Sequence, residues 1–252
     1  QGVWLYRARL SEYLGLKSKW LDQVMPEKED GVGLHAPSFL RRRMDAVCPE
    51  CLKEQGYIRR AWSHTYVLAC PSHRVRLLDE CPNCQSPLRA ERSSIQRCDC
   101  GFELGQAKAE PASAFEIWVS ARLRRDMTDV PGLPTLETEQ ECDGLANLLM
   151  LLSSRADPAN KIRTSKVAQP RSLEEARRYL APVEAILGNW PQGMREHVAM
   201  RVRAGPQIQS TLVGRLGAWY RSMARHCENG RYESIWTAVS DAIADSFDGK
   251  MR

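Results

Sequence analysis

Cys48 and Cys51, Cys70 and His73, Cys81 and Cys84, and Cys98 and Cys100 stand as four close-set pairs within 53 residues. Thiolates and an imidazole at C-x-x-C, C-x-x-H, C-x-x-C and C-x-C spacing can bind a metal, form disulfides, or cycle as a redox dithiol. A tight turn aims two such groups at one point while backbone N–H groups spread the thiolate charge, so four half-sites suit two tetrahedral zinc ions. Pro49 and Pro82 directly follow the first cysteine of their pairs and set the backbone entering the turn. Gly101 after Cys100 can take a positive φ where the chain folds back. A redox pair needs only one copy at the start of a helix, and disulfides suit a secreted chain. The opening stretch QGVWLYRARL carries charge where a signal peptide needs an apolar run, which points to a cytoplasmic protein and to metal.

Two groupings of the half-sites are open. A sequential one makes Cys48, Cys51, Cys70 and His73 one site and Cys81, Cys84, Cys98 and Cys100 the other. An interleaved one joins the first pair to the third and the second to the fourth. Short loop closure favours the sequential grouping. His64 can stand in for His73, but the Cys70–His73 spacing makes the better knuckle, so His64 reads as a surface or packing residue. Four protein ligands leave no open position for water or substrate, so both sites read as folding devices for a segment too short to build its own core. The intervening GYIRRAWSHTYVLAC, with Tyr57, Trp62, Tyr66, Val67 and Leu68 among polar residues, suggests short strands packed over the first metal.

The elements that must carry these sites sit in an ordinary globular composition, 43% hydrophobic and 27% charged, with no run long enough for a membrane helix. The net charge of +5 invites a nucleic-acid reading, but seven thiolates take away seven charges and two divalent ions return four, leaving +2. Residues 115–127 read as a helix with Phe115, Trp118 and Val119 on one face, ended by Pro131, Gly132 and Pro134. Asp143 can cap a helix with the stripe Leu145, Leu148, Leu149, Leu152. Residues 155–171 read as a basic loop. Ser172 and Glu175 form a capping box before Leu173, Ala176, Leu180, Val183 and Leu187, with Pro182 predicting a kink or early end and Gly188 a stop. Trp190 and Pro191 open another helix with Met194 and Val198 inward. Ile208, Leu212, Leu216, Trp219 and Met223 mark an amphipathic helix running to Gly230, and Tyr232, Ile235, Trp236, Val239, Ile243 and Phe247 a last one.

Two helices joined by a short turn over residues 194–225 suggest a helix-turn-helix. There Arg195, Arg201, Arg203, Arg215, Arg221 and Arg225 face only Glu196, a local excess of +5 that can neutralise phosphates. A solvated or partner-facing helix surface explains the same charges. Arg41, Arg42 and Arg43 before the first knuckle, and Arg122, Arg124 and Arg125 after the last, frame a candidate basic rim. Cys142 and Cys227 read as small hydrophobes. The sequence offers no convergent nucleophile, base or phosphate-cradling glycine loop by which to assign an enzyme.

The opening C-P-x-C-L, the Trp about a dozen residues on, C-P-x-H before Val and Leu, C-P-x-C followed by Pro-Leu, and C-x-C-G together resemble the zinc-finger region of the TniQ family, which includes the TnsD-type target selectors of Tn7-like transposons. VWLYRARLSEYLGL at residues 3–16 and ILGNWPQGMREHV further on are similar to the family's N-terminal and C-terminal helical parts. The resemblance implies a non-enzymatic adaptor that recruits a TnsC-type AAA+ ATPase to a target. Some such proteins dock on a guide-RNA-directed Cascade complex and others bind an attachment site on DNA directly. The chain is shorter than full TnsD proteins, which points to the CRISPR-associated branch, and Gln1 in place of Met points to residues before it. A homodimer suits a recruiter of a ring-forming ATPase.

The resulting expectation is a mainly α chain with a small zinc-stabilised α+β module: an N-terminal helical segment (1–44), a tandem two-zinc module (45–108), a connecting helix (109–130) and a C-terminal helical bundle (143–252) holding the helix-turn-helix candidate.

Overall fold

The computed structural model describes residues 12, 13, 15, 39–41, 43–124, 129–136, 142–154, 170–206 and 211–248. The chain falls into two units, residues 1–34 and residues 35–252. The N-terminal helical segment lies almost entirely outside the described residues, as do Arg42, Arg125, Ile208, most of the 155–171 loop and the side chains of Cys142, Asp143 and Phe247.

The second unit is mostly helical with one two-stranded sheet. Helix α1 (Pro49–Gln55) begins at the first C-x-x-C pair, where Pro49 needs no N–H partner, and ends at Gly56, whose φ of 69° lets its N–H reach the Leu52 carbonyl. Strands β1 (Ala69–Cys70) and β2 (Val75–Arg76) pair antiparallel, Ala69 opposite Arg76 and Cys70 opposite Val75. They are the two arms of the Cys70–His73 knuckle. The strands suggested over residues 57–68 are not formed. Arg60–Ser63 make a 3-10 turn that buries Trp62, while Tyr57 is exposed and lies beneath Arg59. Tyr66, Val67 and Leu68 are buried in succession, so the stretch has no period-two alternation of buried and exposed faces.

Helix α2 (Ala114–Arg122) carries a full capping box: the Ser113 hydroxyl accepts from the Glu116 N–H, and the Glu116 carboxylate accepts from the Ser113 N–H. It stops at Arg122, short of the expected 127, and Trp118 donates from Nε1 to the Pro134 carbonyl at 2.9 Å, holding the Pro-Gly segment against it.

Among the described residues five further α-helices follow: α3 (Cys142–Ser154), α4 (Leu173–Leu187), α5 (Gln192–Ala204), α6 (Leu212–His226) and α7 (Glu233–Asp248). Helix α3 starts one residue before Asp143, so Asp143 lies in its first turn rather than at its cap. The Ser172 hydroxyl accepts from the Glu175 N–H as expected. Pro182 does not end α4: it sits four residues after exposed Arg178, so the carbonyl left without its usual partner is on the solvent side. Helix α6 is interrupted at Gly217 (φ 61°) and stops at His226; a separate 3-10 turn spans Glu228–Gly230.

Helix α5 packs along α7 and also meets α4 and α6, and α3 packs on α4 and α6. Leu145, Leu148, Leu149 and Leu152 from α3, Met194 and Val198 from α5, Trp219 and Met223 from α6, and Ile235 and Val239 from α7 are all buried. That core continues without a break through Leu104 and Leu77 into the cysteine module.

Candidate metal centres

The structure groups the eight ligands sequentially. Cys48, Cys51, Cys70 and His73 form one cluster and Cys81, Cys84, Cys98 and Cys100 another, the four ligand atoms of each lying within 4.8 Å of one another. Three of the four knuckles fold the same way. The residue after the second ligand takes a positive φ, at Arg74 (57°), Gln85 (58°) and Gly101 (88°), and its N–H returns to the carbonyl of the first ligand: Arg74 to Cys70, Gln85 to Cys81, Gly101 to Cys98. Gly101 was readable from residue type; Arg74 and Gln85 were not. In the first pair, Cys48 precedes α1 and Cys51 lies in its first turn, so helix geometry replaces the return turn.

The donor sets fit a tetrahedral metal. Sulfur ligands about 2.3 Å from zinc stand about 3.8 Å apart, and a sulfur and an imidazole nitrogen about 3.6 Å apart. In the first centre Cys51 Sγ is 3.6 Å from Cys70 Sγ, and His73 Nδ1 is 3.5 Å from Cys48 Sγ, 3.3 Å from Cys51 Sγ and 3.5 Å from Cys70 Sγ. In the second, Cys81 and Cys100 are 3.8 Å apart and Cys84 and Cys98 3.6 Å. These are tetrahedral edges, well beyond the roughly 2.05 Å of a disulfide, and all the cysteines concerned are free. Each cluster can therefore hold one ion with four protein ligands.

Protonation follows the crowding. Cys70 is pushed down to about 4, first by the hydrogen bond from Cys48, while Cys48 is raised by that same bond and then by burial. One proton is thus held between two thiols built to lose both to a metal. Burial opposes charge on His73, but the bond to Glu54 and then Cys70 outweigh it and raise its pKa. Glu54 was not singled out from sequence. Its Oε1 lies 3.0 Å from His73 Nε2, on the face of α1 one turn beyond Cys51. Accepting that proton leaves Nδ1 as the ligand atom and orients the ring.

The two centres are set differently in the fold. The three cysteines of the first are fully buried and His73 is half-buried; in the second, Cys84 and Cys100 are exposed. The first is also tied to the helices. The Ser120 hydroxyl of α2 accepts from the N–H of Leu68 (3.0 Å) and of Ala69 (2.9 Å) in the arm leading to Cys70. Arg76 of β2 and Arg177 of α4 converge on the buried Glu116 carboxylate at 3.0 and 2.9 Å. Asp79 accepts from the Leu173 N–H at 2.7 Å, capping the first turn of α4 from the cysteine module. His64 is a packing residue. It is fully buried, stacks on Phe39 at 5.6 Å, and its Nδ1 accepts from the Tyr66 N–H.

Of the candidate nucleic-acid arginines, Arg203, Arg221 and Arg225 are exposed and Arg215 is half-buried. Arg195 pairs with Asp241 at 3.4 Å. Arg201 is buried, its guanidinium 4.9 Å from the Trp219 ring and bonded to His197 Nε2 at 2.8 Å. The candidate rim is likewise divided. Arg41 donates to the carbonyls of Trp62, Thr65 and Val67, and burial lowers its pKa to about 10; Arg122 is buried against Asp129; Arg43 is exposed. Cys227 is buried, which pushes its thiol up to about 12, as suits a small hydrophobe. Among the described residues no helix is long and apolar enough to cross a membrane.

A family model described as TniQ matches residues 4–77. The matched span takes in all four ligands of the first centre and ends before the second. It supports the TniQ resemblance over that part of the chain. No curated protein matches the chain.

Proposed function

We propose that the chain is a non-enzymatic target-selection adaptor that links a guide-RNA-directed Cascade complex to a TnsC-type AAA+ ATPase. The observation that carries this reading is the TniQ match over residues 4–77, with its complete first ligand set. Two centres with four protein ligands each support it, since a catalytic zinc keeps a position open for water or substrate. The protein would act in the cytoplasm, alone or as a homodimer, with the two zinc ions as structural cofactors and with residues 1–44, 45–108, 109–130 and 143–252 as its working parts.

A second reading, direct binding of an attachment site, is favoured by the exposed Arg203, Arg221 and Arg225 on α5 and α6. The burial of Arg201 and the pairing of Arg195 weaken it, because both were among the six arginines expected to neutralise phosphates.

Size-exclusion chromatography of the zinc-loaded protein with a Cascade complex and with the ATPase tests the adaptor, and fluorescence anisotropy against a target and a scrambled duplex at two salt concentrations tests the reader. Co-elution with both protein partners, with weak duplex binding that is equal for the two sequences and vanishes with salt, is the expected result. No co-elution, together with target-selective binding that survives salt, overturns the adaptor in favour of the reader.

A further inference from the structure

The two clusters share one ligand geometry but differ in access. In the first, Cys48, Cys51 and Cys70 have no exposed surface, and the arm leading to Cys70 is bonded to α2. In the second, Cys84 and Cys100 lie at the surface, while their neighbours Cys81 and Cys98 are buried beneath them. Cys98 Sγ stands 3.6 Å from Cys84 Sγ, so an approach of about 1.6 Å would join them. A reagent of the size of a peroxide therefore meets a thiolate at the second centre with a resolving thiolate behind it, and meets neither at the first.

We infer that the second centre is an oxidation-sensitive, exchangeable metal site, in which hydrogen peroxide converts Cys84 and Cys98 to a disulfide and releases one metal ion while the first centre keeps its own. Cys84 Sγ attacks a peroxide oxygen; the O–O bond breaks, leaving a sulfenic acid on Cys84 and a hydroxide. Cys98 Sγ then attacks the Cys84 sulfur, the S–S bond forms, and a second hydroxide leaves. Two protons from solvent complete two waters. The two thiolates lose two electrons, the peroxide gains them, and an ion left with two of its four ligands dissociates.

The lobe has ties besides the metal. The lobe is held to the rest of the chain by bonds outside the ligand loops: the Leu88 N–H to the Asp79 carbonyl, the Asp45 N–H to the Leu88 carbonyl, and the Arg92–Asp45 ion pair. What the loss would change is one wall of the open groove of about 610 Å³ between α1 and the turn at Leu104–Gln106, whose lining includes Gln96, Glu103 and Lys108 beside Lys53 and Glu50. The surface presented to a partner would then depend on the oxidation state of the second centre.

The inference rests on both clusters holding zinc, and not on the target-selection reading. The metal content of the protein as purified is measured first; fewer than two equivalents would count against the metal reading itself. Hydrogen peroxide is then added in the presence of a chromogenic zinc chelator, with far-ultraviolet circular dichroism followed in parallel and disulfides mapped by peptide mass spectrometry. The expected result is one equivalent released at least about tenfold faster than the other, a Cys84–Cys98 linkage, and an unchanged helical signal. Release of both equivalents in one phase, release of none, or a disulfide among Cys48, Cys51 and Cys70 would overturn it. Because Cys84→Ser removes a ligand and is expected to bind a single zinc, the disulfide map of the unmodified protein carries the test.

Discussion

The first metal centre and the second both border the same buried core, but they are joined to it differently. Around the first, β1 and β2 deliver Ser120, Glu116 and Arg177 contacts to α2 and α4, and Asp79 caps α4 from the same segment. Around the second, two of four ligands face solvent, and the ties to the remainder include backbone bonds of Asp45 to Leu88 and of Ala90 to Arg43, the Arg92–Asp45 ion pair and the packing of Leu88. A structural zinc contributes roughly 10–16 kcal/mol at neutral pH in small modules. How far that energy reaches depends on what the ligands are bonded to. At the first centre side-chain hydrogen bonds and ion pairs carry it into α2 and α4; at the second, among the described residues, only backbone bonds, one ion pair and packing do.

The sharpest way to break the contrast is to remove one ligand from each centre. Cys70→Ser should lose one zinc and unfold the unit cooperatively, because an unmetallated knuckle withdraws the arms that hold Ser120 and Glu116. Cys84→Ser should lose one zinc and leave the thermal transition of the helices within a few degrees of the parent. Metal analysis and calorimetry on the two variants check both; equal losses of stability would erase the distinction.

A smaller perturbation cuts the link instead of the metal. Glu116→Ala removes the buried carboxylate shared by Arg76, which keeps Glu110, and Arg177, both partly exposed, and should cost roughly 1–3 kcal/mol in urea unfolding with both zinc ions retained. Glu54→Gln refines the comparison further. It removes the carboxylate that orients His73, so first-centre affinity should fall about 10- to 100-fold in a chelator competition while the second centre is unaffected.

The ligand set was legible because metal knuckles are local: one or two residues between ligands and a proline or glycine at the turn state the geometry outright. The helical stripes were legible for a similar reason, since Leu145 to Leu152 and Leu173 to Leu187 repeat at helical spacing and are buried on that face. What was not legible depended on tertiary partners. Residues 57–68 carry enough aromatics to read as strands, but Trp62 finds its pocket from a 3-10 turn and Tyr57 finds none. Glu54 carries no signal until His73 is brought beside it from 19 residues away. Arg201 reads as one of six basic residues on a helix pair, yet Trp219, eighteen positions on, draws it inside. Arg41 and Arg122 were assigned to a surface rim by their charge and are instead bonded inward by carbonyls and a carboxylate.

Arg201 also sets the smallest of the expected effects, which concerns the helices alone. Burial, then the Arg201 charge, lowers the pKa of His197 to about 3, against about 6.5 in an unfolded chain. Between those values the unfolded chain holds a proton that the folded one refuses. Stability from this group is therefore full above about pH 6.5 and is lost as pH falls toward 3. His197→Gln keeps an acceptor for Arg201 and removes the titration, so the slope of unfolding free energy against pH across that window should be shallower than in the parent. Identical slopes would mean that His197 is not the group responsible.

Two closed centres are the claim on which the rest depends, and X-ray absorption at the zinc edge of the intact protein tests it most directly. The structure predicts two ions per chain sharing seven sulfurs and one nitrogen, at about 2.3 and 2.0 Å, with no water oxygen. A single ion, or a light-atom shell that requires an open coordination position, would contradict it.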